Sequence, residues 1–359
     1  MKVGIFHTAF IGDIALSSLL IEALFQEKHE IYLITRKASI LLYKNDPRIK
    51  GFVSADKAKG IKKINSLRTI ANQIKALNLE VLLVPHKSTT SALCAYLSHV
   101  PKRISYNDSS LRFLYTENLP FHKEKHECIR CLDIAPRWLV SETTYQNAVK
   151  IARPILKPAQ DMPTFNLKNP HFFQNNNSFF IVSPGSVWAT KKYPPQHFAK
   201  AIFSLLSKNK NIRCILTGTQ QDKMDINTIL SFFAPFSELS ARIIDTSMYL
   251  PLDEFVTLIS KAQFVIANDS SPIHIASGSN IPVVSIFGPT TWKFGFYPTS
   301  DKNVVLNYKD ENGNTLACHP CTPHGSQTCP QKHFRCMLEL SPDLLANSVE
   351  KLLPELFIS

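Results

Sequence analysis

Residues 267–274 read Ala267-Asn268-Asp269-Ser270-Ser271-Pro272-Ile273-His274, and residues 281–290 read Ile281-Pro282-Val283-Val284-Ser285-Ile286-Phe287-Gly288-Pro289-Thr290. An apolar run over 264–267 ends in Asn-Asp-Ser-Ser, a helix opens at Pro272, and a second apolar run ends in Gly-Pro-Thr. Strand, short turn, helix and strand in that order are the unit of a parallel sheet. Pro272 suits the first helical turn, where its missing N–H costs nothing. The free amides and positive dipole end of that helix face an anion. A simpler alternative makes Asp269 or Ser270 the helix cap and His274 a core histidine. It accounts for the residue types but not for their clustering.

Working outward, the second half repeats the alternation. Residues 179–183, 212–217, 242–245, 264–267 and 283–287 read as strands, with helical stretches at 196–206, 222–233, 252–261 and 272–277. The first half offers strands at 3–7, 31–35 and 80–84, helices at 14–25 and 91–98, and a basic surface helix over 57–77. Pro154, Pro158, Pro163 and Pro170 with Asn175, Asn176 and Asn177 break the periodicity between 152 and 177. The reading is α/β and doubly wound: domains over 1–165 and 175–340, then a capped amphipathic helix within 341–359. Two such domains leave a cleft, with ligands outside the carboxyl ends of the strands.

The 359 residues are 44% hydrophobic and 19% charged, which excludes a disordered chain. No run approaches the ~18 apolar residues that span a bilayer. Lys2 precedes an apolar stretch, but Asp13 interrupts it and no small-residue cleavage site follows, so the segment reads as strand and helix and the protein as cytoplasmic. The formal net charge is +12, and residues 1–160 hold 24 of the 40 Lys+Arg but only 13 of the 28 Asp+Glu. The first half therefore meets an anionic partner: nucleic acid, a membrane surface or a phosphorylated substrate. A solvated lysine-rich surface gives the same count.

Two further segments carry chemistry. Phe6-His7-Thr8-Ala9-Phe10-Ile11-Gly12-Asp13 runs from strand to loop to helix without the glycines of a dinucleotide fingerprint or the Gly-Lys-Ser/Thr of a P-loop. Asp13 either caps the helix or serves as a general base toward a substrate hydroxyl. Ser183-Pro184-Gly185-Ser186 follows a strand and Lys191-Lys192-Tyr193-Pro194 precedes a helix. Small residues there admit phosphate oxygens to backbone amides and a lysine supplies charge.

In this order the three segments resemble family 9 glycosyltransferases, the ADP-heptose:lipopolysaccharide heptosyltransferases. The hallmarks are a Gly-Asp loop after the first strand, Pro-Gly-Ser/Thr leading to Lys-x-Trp/Tyr-Pro, and Asn-Asp-Ser-Gly-x-x-His followed by Phe-Gly-Pro-Thr. The likeness extends to 100–106 and 122–126. It implies a GT-B fold of two Rossmann-like domains, the first binding acceptor and the second the nucleotide-sugar. It also implies that Asp13 is the catalytic base and that Ser186 and Lys191 contact phosphate. Asp269, Ser270, Ser271 and His274 fall on the donor motif, with Ser271 in place of the usual glycine, and Asp222 falls on a position that meets the ribose. The implied reaction is inverting transfer of heptose from ADP-heptose to the lipopolysaccharide inner core, with Lys191 and the helix N-terminus compensating the diphosphate charge and no cofactor required. No Asp-x-Asp motif is present. Lipid A and inner core are anionic and fit the basic first half, where Lys62, Lys63, Lys102, Arg103 and Arg112 are acceptor-side candidates. Peripheral contact with the inner membrane follows.

Cys318, Cys321, Cys329 and Cys336 have the thiolate count of a structural zinc or iron site, with His319, His324 and His333 as alternative ligands, but lack the second C-x-x-C of a zinc ribbon. Reduced structural cysteines explain them as well. The family resemblance implies a local staple away from catalysis. Two other functions compete: a transferase of the same fold with another nucleotide-sugar or a protein acceptor, and a basic nucleic-acid-binding protein. The latter lacks both a motif and interleaved aromatics, so no nucleic acid is expected.

Overall fold

Short runs of β-branched and aromatic residues, bounded by polar turns, become strands that are buried on both faces once helices cover the sheet. A computed structural model describes residues 1–56, 62–161, 172 and 178–357, with side chains from residue 64 onward in the second stretch. The chain divides into two units, Met1–Pro158 and Ala159–Ser359.

In the first unit the strands are Lys2–Phe6 (β1), Glu30–Thr35 (β2), Ile49–Ser54 (β3), Val81–Leu83 (β4), Lys102–Tyr106 (β5) and Glu117–Leu119 (β6), in sheet order β3-β2-β1-β4-β5-β6. In the second they are Phe179–Ser183 (β7), Arg213–Leu216 (β8), Ile243–Asp245 (β9), Val265–Asn268 (β10), Val283–Ile286 (β11) and Asn303–Leu306 (β12), in order β12-β11-β10-β7-β8-β9. Every pairing is parallel. Both sheets therefore reverse winding once, between β1 and β4 and between β7 and β10. Those switch points are where α/β sheets open a crevice for ligands.

The doubly wound α/β expectation holds in both units. The single helix expected over 14–25 is two, Ile11–Leu16 and Ser18–Gln26. The break has a local cause: Ser17 Oγ donates to Ile14 O at 2.7 Å and Ser18 Oγ to Ala15 O at 2.6 Å, hydroxyls competing for carbonyls at the helix end. The basic helix is Lys62–Ala76, and residues 57–61 and the side chains of Lys62 and Lys63 lie outside those described. Strands β3, β5, β6 and β12 escaped the sequence reading. The second core is built on Phe180 and Phe264, stacked at 4.7 Å, with buried Tyr193 donating to Leu340 O at 2.8 Å. The helix Pro342–Leu352 buries Leu345, Ala346 and Val349 in this core, against the helix Pro195–Lys208.

Candidate active site

In the second unit the loops after β7 and β10 meet at the switch point. Asn268 Nδ2 donates to Pro184 O at 2.7 Å, and its Oδ1 accepts from Tyr193 N at 3.2 Å. One buried amide thus ties both loops together, which is why an asparagine ends an otherwise apolar strand. Asp269, 8% exposed, accepts from the Thr290 hydroxyl at 2.6 Å and pairs with Lys191 Nζ at 2.6 Å, both on Oδ2. A buried carboxylate held by a hydroxyl and an ammonium is a strong, oriented contact. It keeps the lysine head beside the N-terminus of the helix Ser271–Gly278.

That N-terminus is open. Ser270 occupies the cap position with no side-chain cap bond; its hydroxyl donates instead to Asn268 O at 3.3 Å. Asp269 is engaged elsewhere, so the alternative in which either residue caps the helix does not describe this structure. Ser271 is the first helical residue and Pro272 the second. His274 is buried, its ring edge-to-face with Phe296 at 6.4 Å. The site thus combines a lysine, a helix dipole and the amides of Ser270 and Ser271, a set suited to a diphosphate.

Ser186 Oγ accepts from Trp188 N at 3.2 Å, shaping the loop that leads to Lys191. Asp222 closes a capping box, its Oδ2 accepting from Thr219 N and Oγ1 at 2.9 and 2.8 Å, and Lys192 lies 3.5 Å from Oδ1. A Cβ on Gly185 would lie 2.4 Å from Asp222 Cγ. Glycine there is a requirement of close approach, and Asp222 packs against the loop after β7.

In the first unit Asp13 is half-buried in the first turn of Ile11–Leu16, whose cap position is Phe10. It is therefore not the cap residue, although a carboxylate there still suits the helix dipole. His7 at the end of β1 is buried and its proton affinity lowered to about 3, by burial first and then by His86, so the ring stays neutral. Thr8 Oγ1 lies 2.9 Å from His86 Nδ1. Three residues that the motif reading passed over stand on this side: Lys87, Glu127 and Arg130. Arg130 Nε pairs with Glu127 Oε2 at 2.6 Å, and Lys87 Nζ lies 3.4 Å from the centre of the Phe121 ring. Burial raises the Glu127 carboxyl to about 7, Arg130 opposes that, and Asp13 adds to it, so the two carboxylates feel one another. Only the fold joins residues 13 and 127; the adjacent 122–126 segment was the nearest sequence signal.

Of the acceptor-side candidates, Lys102, Arg103 and Arg112 have described side chains, and each is engaged locally. Lys102 and Arg103 open β5, in register with Val81 and Leu82 at the amino end of the sheet, away from the Asp13 loop. Lys102 Nζ sits 3.7 Å from the centre of the Trp138 ring, and Arg103 donates to Val100 O at 2.7 Å and Leu114 O at 3.2 Å. Their charges anchor local structure. Arg112 follows β5 and donates to Asn107 O at 3.2 Å. The four tail cysteines lie near one another, Cys318 hydrogen-bonding Cys321 and Cys336 feeling the other three, but among the described residues no three His, Cys, Asp or Glu side chains are placed to hold a metal. Cys318 Sγ lies 3.8 Å from His333 Nε2, and Cys336 packs against the hydrophobic core.

Comparison with known proteins places the chain in a family and a fold. The family model described as glycosyltransferase family 9 (heptosyltransferase) matches residues 67–330. Lipooligosaccharide heptosyltransferase 2 of Campylobacter jejuni (serotype O:6) is 27% identical over 246 residues, 67% of this chain and 68% of that protein. Lipopolysaccharide heptosyltransferase 2 of Escherichia coli K12 is 22% identical over 312 residues, 82% and 84% of the two chains. The solved structure of E. coli ADP-heptose LPS heptosyltransferase II superposes with a TM-score of 0.77 at 19% identity, covering 99% of both chains, a likeness of GT-B fold. The family match spans the β10 motif, the lysine loop, the last three strands of the first sheet and all six of the second, and the chain accordingly belongs to glycosyltransferase family 9 (heptosyltransferase), a family of glycosyl-transferring enzymes.

Proposed function

We propose that the chain transfers heptose from ADP-heptose to the inner core of lipopolysaccharide or lipooligosaccharide, with inversion at the anomeric carbon. The observation that carries the donor half is the Lys191–Asp269–Thr290 arrangement beside an uncapped helix N-terminus. When a nucleoside diphosphate-sugar binds, Lys191 and the amides of Ser270 and Ser271 meet its phosphates. Charge grows on the leaving diphosphate as the glycosidic bond breaks, and fixed positive groups there lower the barrier. Asp13 takes the proton from the acceptor hydroxyl as that oxygen attacks the anomeric carbon from the face opposite ADP. The relatives' names support heptose as the sugar and a lipopolysaccharide core as the acceptor.

The acceptor is polyanionic, which accords with the excess of basic residues in the first half. Among the described residues no helix is long and apolar enough to cross a membrane, and the proposed place of work is the membrane surface, reached by charge.

Calorimetry with ADP, ADP-heptose, UDP and UDP-glucose tests the donor half. Adenine ligands bind and uridine ligands do not. Lys191→Ala, which removes one charge-assisted contact to phosphate, weakens ADP by roughly 10- to 100-fold. Equal binding of UDP, or an unchanged ADP affinity in Lys191→Ala, overturns the reading.

A further inference from the structure

The cysteine-rich tail has no task in the mechanism above, and the family resemblance implies a staple remote from catalysis. Its contacts are elsewhere. The segment reaches the Lys191–Asp269 pair from two sides. On the lysine side, Thr190 N and Oγ1 donate to Ser326 O at 3.0 and 2.8 Å, and Ser326 N donates back to Thr190 Oγ1 at 2.8 Å. Gln327 brackets the same loop, its Oε1 accepting from Ala189 N at 3.4 Å and its Nε2 donating to Val187 O at 3.0 Å. Gly325 has φ +93°, and a Cβ on it would lie 2.8 Å from Trp188 Cβ and 3.1 Å from Lys191 Cε. On the aspartate side, Cys321 N donates to Pro289 O at 2.8 Å, and His319 Nε2 lies 2.8 Å from the carbonyl of Thr290, whose hydroxyl holds Asp269.

A lysine stem has many rotamers, and freezing them when ligand arrives lowers affinity. A glycine so near the stem that a Cβ on it would crowd Lys191 Cε, with the preceding residue locked by three hydrogen bonds, narrows those rotamers beforehand. Thr190 is 2% exposed, so water cannot replace the bonds its hydroxyl makes. The aspartate-side arm ends on the backbone of Thr290, whose hydroxyl holds Asp269. One segment thus braces the residue before Lys191 and the residue that holds its partner, more than a tail needs in order to be tied down.

We propose that the turn at 325–327 is a positioning element for Lys191, fixing the lysine stem so that its ammonium is aimed at the diphosphate of a bound nucleoside diphosphate-sugar. This rests on the donor reading above and extends it. Residues 325–327 touch no substrate; they act through Lys191.

The test is a mutant cycle in the full-length chain, read by ADP calorimetry and by steady-state kinetics with ADP-heptose. Thr190→Val weakens ADP about tenfold and raises KM for the donor by a similar factor, with kcat changed less than about threefold. Thr190→Ser, which keeps the hydroxyl, restores binding. Gln327→Ala, at an exposed position whose loss spares the core, shifts affinity in the same direction. The decisive arm is Thr190→Val in the Lys191→Ala background, where it has no further effect on ADP because the residue it positions is gone. Additive losses in the double variant, or a folded Thr190→Val that binds ADP like the parent, overturn the proposal. Failure of the parent chain to bind ADP, or of Lys191→Ala to weaken it, overturns the donor reading instead, so the two failures are distinct.

Discussion

At the scale of single residues, the site is made by side chains that forgo their local roles. Ser270 and Asp269 sit where a helix cap belongs, yet neither caps; the carboxylate turns to Lys191 and Thr290 and leaves the helix amides open. Gly185 is fixed by its neighbour. Gly185→Ala sets a methyl against the Asp222 carboxyl, an overpacking expected to cost about 1–3 kcal/mol and to lower the thermal midpoint by several degrees; an unshifted melt contradicts it. Glu127 gives a pH signature. Its carboxyl is raised from 4.5 to about 7, so the folded chain holds that proton more tightly than the unfolded chain. The stability this lends is present below about pH 4.5 and drains away as pH rises to about 7, by at most roughly 3 kcal/mol. Glu127→Gln cannot titrate, so its unfolding free energy should gain on the parent's across that window and run parallel above it. A constant offset from pH 4.5 to 8 sinks the assignment. Asp269 stood out in the sequence as a polar residue closing an apolar strand, whereas Asp13 and Lys191 were singled out through the family resemblance. Glu127 and Thr190 were not, since their partners lie 114 and 136 residues away, a separation only the fold closes.

At the scale of elements, the strands that sequence reading found are central ones, apart from β9 at a sheet edge. β1, β7, β10 and β11 are apolar on both faces and announce themselves. Those it missed either sit at sheet edges or begin with polar residues: β3 contains Lys50 and Gly51, β5 opens with Lys102 and Arg103, β6 is three residues long, and β12 is largely half-buried. Half-covered strands tolerate such residues, and composition stops marking them. The terminal helix behaves the opposite way. Ser341 caps it, its hydroxyl accepting from Asp343 N, and its apolar stripe of Leu345, Ala346 and Val349 is complete. Leu345 is fully buried, and Leu345→Ala should cost about 2–5 kcal/mol in chemical denaturation. A loss under about 0.5 kcal/mol contradicts an integral role for this helix in the second core.

At the scale of the whole molecule, one winding order occurs twice, and each sheet places its chemistry at the reversal: Asp13 and His7 beside β1, Lys191 and Asp269 beside β7 and β10. The repetition explains how two sites arise from one architecture with no shared motif. The charge does not repeat, since the first half carries nearly all of the +12. The full chain is therefore expected to bind vesicles containing anionic phospholipid at low ionic strength and to release them in about 0.5 M salt, where the screening length falls to a few ångströms. Sedimentation that is indifferent to salt contradicts electrostatic docking. The central claim is that this family 9 chain moves heptose from an adenine nucleotide using Asp13 as base. Transfer from ADP-heptose to a heptose-acceptor lipid, measured alongside ADP calorimetry for parent and Asp13→Ala, tests it most directly. The account predicts ADP affinity preserved in the variant and transfer reduced by roughly 10²- to 10⁴-fold; a variant that transfers at the parent's rate, or a parent that consumes no ADP-heptose, contradicts it.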